Sequence, residues 1–380
     1  MKLYAVGEYR IEGSHMKFLH TADWQIGMRA AKLGYAGECV REERLTSVKR
    51  IIEAAKSYKV EFILIAGDVF EDNAVDRVMI QKVADILGSF NKPVFIIPGN
   101  HDPLVPGSVW DHPAWKASKN ICIVKEETPI QIPGGMLYPC PVSEKHSGRN
   151  PTAWIPSEPN NIIRIGMAHG TVEGIRQDEP DYPIPRDAGQ KLGLDYLALG
   201  HWHSYASYPG PDGIPRMAYS GTHETTKFGE RESGNVLIVE ITKPKAHPSI
   251  ACIRIGSLDW VTIDREIRTQ EELTSIREHI ETIENPDSKL VEVNLSGLLM
   301  VNEQAELDHI EQILHSRFLW GNLDISNLRP SPEDDTWIGN LPPGIIQDAA
   351  MKLRDNPGSS PEVSARALME LYAIVGEGIR

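Results

Sequence analysis

The sequence has few cysteines, no basic excess, no long apolar run and no internal repeat, and each lack removes a class of protein. Only four cysteines occur in 380 residues: Cys39, Cys122, Cys140 and Cys252. They lie far apart with no Cys-x-x-Cys pair, which excludes a zinc ribbon and a disulfide framework, and they read as scattered core thiols. Lys and Arg number 39 against 53 Asp and Glu, a net charge of −14. A protein that neutralises phosphates with its own side chains carries a basic excess, so a histone-like or duplex-coating role is excluded. An enzyme that brings metal ions is not. No run of about 18 apolar residues exists, which removes a membrane-spanning helix. The start of the chain lacks the charged-then-apolar layout of a secretory signal, so the chain reads as intracellular and cytoplasmic. What is present is a hydrophobic fraction of 41%, enough for substantial cores in two or three domains.

Gly13-Ser14-His15-Met16 has the form of a vector cleavage scar. Residues 1–15 therefore read as a tag or an upstream extension. From Met16 the chain alternates short apolar runs with amphipathic stretches. The runs 17–20, 61–66, 93–97, 162–168 and 196–199 read as buried strands, with 216–219 and 235–240 as later members. Stretches 42–58 and 75–90 carry apolar residues every three or four positions and read as helices. This is an α/β layout, in which chemistry collects at the carboxyl ends of strands. After residue 240 the character changes. A strand at 249–255 and two helix–strand units, helices 271–283 and 303–315 with strands 290–295 and 322–325, predict a second, smaller α/β domain over 246–335. Two short helices, 345–354 and 361–375, follow in 336–380.

Each early strand ends in a polar cluster: Asp23-Trp24-Gln25, Gly67-Asp68, Gly99-Asn100-His101-Asp102, His169-Gly170 and Gly200-His201-Trp202-His203. Singly, such clusters are turns, caps or ordinary loop histidines. Jointly, in this order and each after a strand, they make a coordination set. Two divalent cations about 3.5–4 Å apart need a shared carboxylate to offset their repulsion, and oxygen and imidazole ligands to complete each shell. Asp23, Gln25, Asp68, Asn100, His169, His201 and His203 supply seven candidates. Such a pair lowers the pKa of a bound water to about 7 and stabilises charge on a pentacovalent phosphate. The lack of thiol ligands favours manganese, with magnesium or iron as alternatives, over structural zinc.

These motifs resemble those of the calcineurin-like metallophosphoesterases. His20-Thr21-Ala22-Asp23-Trp24 and Gly67-Asp68-Val69-Phe70 look like the SbcD-type DNA repair nuclease branch, as does Tyr219-Ser220-Gly221-Thr222. The resemblance implies a layered β-sandwich flanked by helices over 16–245, with a capping α/β domain over 246–335 and a C-terminal helical segment over 336–380. It implies that Asp23, Gln25, Asp68 and His203 hold one metal and that Asp68, Asn100, His169 and His201 hold the other. His101 would be the catalytic residue, stabilising the transition state or protonating the leaving oxygen. It further implies DNA as substrate, an SbcC-type coiled-coil ATPase as partner and a homodimer.

Two positions depart from the family pattern. Gln25 stands where the family usually has His, and an amide oxygen binds a divalent ion more weakly, so one metal is expected to be looser. Glu71 stands where many relatives carry His or Asp, and it reads as a helix cap or surface residue, with altered DNA-end placement as the alternative. Trp24, Phe70, Trp202 and Tyr205 read as packing that supports the metal loops. His223 and the segment 227–231 read as phosphate contacts. The last helix aligns Ala365, Leu368, Leu371, Tyr372 and Val375 on one face, which suits either a partner helix or its own domain.

The leading expectation is a two-metal DNA exo- or endonuclease. The alternatives are a phosphodiesterase acting on a small nucleotide or other phosphoester, and a weakly catalytic DNA-end sensor or scaffold for an ATPase. Residues 261–380 hold 10 Lys or Arg against 22 Asp or Glu. The acidity thus belongs to the C-terminal part, and the catalytic part is near neutral.

Overall fold

A computed structural model describes residues 15–157, 161–174, 181–299, 304–330, 335–355 and 361–377. Residues 1–14 of the expected tag or extension lie outside the described residues. The chain divides after Leu258 into two compact units.

The first unit contains β1 (Met16–Thr21), β2 (Phe62–Ala66), β3 (Val94–Ile97), β4 (Ile121–Ile123), β5 (Ile130–Ile132), β6 (Gly135–Cys140), β7 (Ile163–His169), β8 (Tyr196–Gly200), β9 (Ala206–Pro209), β10 (Pro215–Tyr219), β11 (Asn235–Ile241) and β12 (Ser249–Arg254). They form two six-stranded sheets, ordered β12-β11-β1-β2-β3-β4 and β5-β6-β7-β8-β10-β9. β1 through β4 run parallel, as do β6, β7, β8 and β10. The outer members β12, β11, β5 and β9 pair antiparallel.

Period-two alternation builds two cores from one strand. In β2, Phe62, Leu64 and Ala66 face a core shared with Leu137, Ile163, Ile165, Tyr196 and Ala198 of the other sheet. Ile63 and Ile65 face the helices Ala36–Ser57 and Arg77–Gly88, through Val48, Ile51, Ile80 and Val83. All five residues are buried, which is why this strand reads as an unbroken apolar run. The outer face of the second sheet is covered in turn by a third cluster that includes Tyr138, Cys140, Leu197, Leu199 and Tyr219. The architecture is the helix-flanked layered β-sandwich expected from the resemblance.

The His20 ring makes a polar connection across the inter-sheet core. His20 Nε2 donates to the Leu199 carbonyl at 3.1 Å, which leaves Nδ1 to accept from Tyr196 Oη at 2.9 Å. Burial holds the ring down to about 3, so it is neutral and the tautomer is fixed.

The strand at Ser249–Arg254, grouped by sequence with the second domain, belongs to the first unit. It pairs with β11 over six residues, from Asn235↔Arg254 to Glu240↔Ser249, and so the division falls after 258 rather than after 245. Cys39 and Cys252 are exposed, which corrects the reading of all four cysteines as core thiols; Cys122 and Cys140 are buried.

The second unit opens on β13 (Asp259–Ile267) and continues with β14 (Lys289–Leu299) and β15 (Trp320–Pro330), an all-parallel sheet. Helices Gln270–Thr282 and Gln304–Arg317 connect the strands and share a core with Ile263, Val291, Val293 and Leu295. The first of them starts on a capping box: Thr269 accepts from Glu272 N, and Glu272 Oε2 accepts from Thr269 N at 3.1 Å. The last helix, Pro361–Glu377, packs its Leu368, Leu371 and Val375 against Ile338, Leu341 and Ala350. Tyr372 meets Trp337 edge-on at 5.0 Å. Four of the five residues of that apolar face thus have partners within their own unit, while Ala365 is exposed. Among the described residues no helix is long and apolar enough to cross a membrane.

Candidate metal centre

The polar clusters meet because their strands are neighbours. β1, β2 and β3 lie side by side and parallel, so the turns carrying Asp23 and Gln25, Asp68, and Asn100 and His101 emerge at one edge of the first sheet. β7 and β8 do the same in the second sheet, with His169 as the last residue of β7 and His201 and His203 just beyond β8. The turns are stitched together: Asp23 N donates to Gly67 O at 3.1 Å and Gln25 N to Asp68 O at 3.0 Å.

The backbone there is held in costly conformations. Asp23, Gln25 and Asp68 have φ of 55°, 49° and 53°, and His201 has 108°. Non-glycine residues in such regions cost about 1–3 kcal/mol each and cluster at functional sites. The motif glycines have a matching cause. A Cβ at Gly67, itself at φ 92°, would overlap the His169 ring, and one at Gly200 would overlap the Ala66 carbonyl.

Asp23, Asp68 and His169 are buried, and each offers a ligand atom within 4.8 Å of the others. His169 Nδ1 donates to Ala66 O at 2.8 Å, and Nε2 lies 2.8 Å from Asn100 Oδ1 and 3.4 Å from Asp68 Oδ2. His201 Nδ1 lies 3.2 Å from the same Asn100 oxygen, and its backbone N donates to Asp23 Oδ1 at 2.8 Å. Gln25 Nε2 donates to Asp68 Oδ2 at 3.1 Å. His203 Nδ1 pairs with Glu230 Oε1 at 2.8 Å. Asp23, Asp68 and His169 thus form one group, with Gln25, Asn100 and His201 hydrogen-bonded to it, whereas the ring of His203 is bonded to Thr226 and Glu230.

The electrostatics fit a cation. Asp23 Oδ2 is fully buried with no hydrogen-bond partner among the described residues, an acceptor oxygen that a cation would satisfy. Burial raises Asp23 to about 6, although His169 and His203 pull the other way. Burial would lower His169, but the Asp68 carboxylate overrides it and lifts the ring to about 9; the same pairing brings Asp68 down to about 2. Burial also opposes the charge on His203, and the bond to Glu230 outweighs it, raising that ring. His201 is held down to about 3 by burial and by the charge on His169. Anionic oxygens, amide oxygens and imidazoles around one buried point form a hard-to-borderline donor set suited to divalent cations.

His101 stands beside this cluster and is partly exposed. Its backbone N donates to Asp68 Oδ1 at 2.9 Å, and its Nδ1 donates to the Glu71 carbonyl at 3.0 Å, so Nε2 is the ring nitrogen that bond does not engage. Glu71 acts here through its backbone. The helix cap in this segment is Asp76, which accepts from Val78 N at 2.8 Å, so the cap reading of Glu71 is corrected.

Several supporting residues escape sequence reasoning. Asp102 accepts from Phe70 N at 2.9 Å and Gly99 N at 2.8 Å, tying the Asp68 turn to the Asn100 turn. Glu230 lies in the segment read as cationic, yet it anchors His203, the carboxylate–histidine arrangement common around metal ligands. His223 is corrected outright: it is fully buried, bonds the Arg44 carbonyl through Nε2 at 2.8 Å, and is held well below its ordinary pKa by burial. A neutral buried ring does not contact phosphate. Trp24 and Phe70 are fully buried, in keeping with the packing role.

With this geometry in place, the comparisons with known proteins speak to the same residues. The family described as calcineurin-like phosphoesterase matches residues 16–205, half of the chain. The chain belongs to that family, whose members are metal-dependent hydrolases of phosphoesters. It is similar to the uncharacterized metallophosphoesterase YhaO of Bacillus subtilis (strain 168), at 27% identity over 239 residues. That match covers 60% of this chain and 58% of YhaO, so it spans little more than half of the relative. Among solved structures, TT1561 of Thermus thermophilus aligns at a TM-score of 0.41 and 11% identity, covering 63% of this chain and 99% of that one.

Proposed function

We propose that the protein is a DNA nuclease using two divalent cations, most simply manganese. Asp23, Gln25, Asp68 and His203 hold one ion, and Asp68, Asn100, His169 and His201 hold the other. The observation that carries the hydrolytic reading is the buried, partnerless Asp23 Oδ2, on a residue grouped with Asp68 and His169 by ligand atoms within 4.8 Å of one another. DNA as substrate rests on the resemblance of the segments around Asp23 and Asp68 to the SbcD-type branch, as does an ATPase partner.

When bound, divalent cations supply an acidified water and charge neutralisation at the phosphoryl group. The chain supplies the rest. Asp68 joins the two halves of the centre, and its Oδ1 fixes the backbone of His101. The Glu71 carbonyl sets the His101 tautomer, so Nε2 is the atom that meets substrate. As the water oxygen, its proton lost to solvent, bonds to phosphorus and the ester P–O bond breaks, the leaving oxygen takes the bonding electron pair and a proton from Nε2 of the doubly protonated His101 ring, since the neutral ring keeps its one proton on Nδ1 toward the Glu71 carbonyl. The left-handed turns hold these groups before substrate arrives, so little reorganisation is needed during the reaction.

The test is manganese-loaded protein on labelled single- and double-stranded DNA and on a chromogenic phosphodiester, beside His101→Ala. DNA cleavage that falls about 10²–10⁴-fold in the variant, with metal content unchanged, is the expected result. Chromogenic turnover without DNA cleavage would instead assign a small-molecule phosphodiesterase, and two bound ions without turnover an end-sensing scaffold.

A further inference from the structure

Arg44 is the most deeply buried cation of the first unit outside the centre among the described residues, 1% exposed on the inner face of the helix Ala36–Ser57. Placing a guanidinium there is costly unless its donors are satisfied. Its hydrogen bonds run not to carboxylates but to two loops. Nε donates to Trp24 O at 3.1 Å, and Nη2 also reaches that oxygen. Nη1 donates to Glu224 O at 2.7 Å and Thr225 O at 3.3 Å, and Nη2 to Thr222 Oγ1 at 3.2 Å.

Both loops lead to the metal centre. The Trp24 carbonyl lies between Asp23 and Gln25, the two residues held at φ 55° and 49°. In the other loop, Thr222 N donates to the His203 carbonyl at 2.9 Å. Thr226, next along that loop, takes the Glu230 carboxylate at its backbone N at 2.8 Å, and Glu230 holds His203 Nδ1. One side chain therefore fastens the turns that present Asp23, Gln25 and His203. Asn100 and His169 are fixed by other means, through the Asp102 ties and the Ala66 carbonyl, and His201 meets the Asp23 turn only through its backbone N, which donates to Asp23 Oδ1 at 2.8 Å.

We propose that Arg44 is the positioning residue for one cation of the pair, the one assigned to Asp23, Gln25, His203 and Asp68, and not for its neighbour. This rests on the two-cation reading above. Arg44 acts through the loop carbonyls, so its loss lets the Asp23–Gln25 turn relax from its left-handed conformation and frees the strand end carrying His203.

The experiment measures manganese bound per chain by equilibrium dialysis and elemental analysis, with electron paramagnetic resonance of the bound ions, for wild type, Arg44→Met and Arg44→Lys. Far-UV circular dichroism establishes that each variant is folded. Wild type is expected to hold two ions with an exchange-coupled spectrum. Arg44→Met is expected to weaken one ion about 10- to 100-fold, the range seen when supports of metal ligands are removed, and to show the six-line signal of an isolated ion. Arg44→Lys, which keeps a donor for the Trp24 carbonyl, is expected to restore part of the second ion, and it serves as the test if the Met variant does not fold. Two coupled ions of unchanged affinity in folded Arg44→Met, or loss of both ions together, overturns the proposal. A wild-type chain that binds fewer than two ions overturns the two-cation reading itself, which separates that failure from failure of the Arg44 assignment.

Discussion

A carboxylate oxygen sealed from water without a partner is destabilising, and Asp23 carries one. Its value to the protein lies in what it binds. Because burial raises its pKa from 3.8 to about 6, the folded chain holds the Asp23 proton more tightly than the unfolded chain does. Its contribution to stability is therefore full below the unfolded value and lost as pH rises through about 6. In chelated protein, Asp23→Asn should remove that loss and melt at or above wild type at pH 7. Manganese at 100 times its Kd should stabilise wild type by about 2.7 kcal/mol per ion and the variant by less, measured as the gain in melting temperature. Gln25→His should tighten manganese binding, since imidazole is the stronger ligand; an unchanged affinity by titration calorimetry would remove the argument that Gln25 loosens one site. At this scale the seven ligand candidates are legible in the sequence because each follows a strand. Arg44, Asp102 and Glu230 are not, since their partners lie 20 or more residues away in most cases and only the folded loops bring them together. His223 misleads because a histidine beside cationic residues reads the same whether its ring faces solvent or the core.

The strands act as rigid arms, and their registry sets the centre. His20 secures the two sheets to one another just before the Asp23 turn. His20→Leu keeps the bulk but leaves the Leu199 carbonyl and the Tyr196 hydroxyl without their buried partner. At about 1–3 kcal/mol for each unsatisfied group, the variant should lose about 2–6 kcal/mol in urea unfolding. The central parallel strands are readable as apolar runs because both of their faces are buried. β4 and β5 escape such a reading for their brevity, and β6 for the Gly and Pro it contains, which signal turns when read locally. β13 escapes it for another reason: only Ile263 and Ile267 among its residues are buried, and they stand four positions apart, so its period-two signal is weak. β12 is legible as a strand but not as a member of the first unit, because pairing with β11 is a long-range choice that local pattern does not encode.

As a whole, the molecule separates chemistry from charge. Every proposed ligand lies in the first unit, whereas the acidic balance of 10 Lys or Arg against 22 Asp or Glu lies in residues 261–380. The first unit has its own three hydrophobic clusters and both complete sheets. Residues 15–258 produced alone should therefore unfold cooperatively and hydrolyse a chromogenic phosphodiester with manganese; an aggregated or non-cooperative fragment would show that the first unit depends on the second.

The most direct test of the account is the position of the ions. Anomalous scattering from a manganese-soaked crystal should give two peaks flanking Asp68, one on the side of Asp23, Gln25 and His203 and the other on the side of Asn100, His169 and His201. A single peak in a fully loaded crystal, or peaks away from these residues, would contradict it.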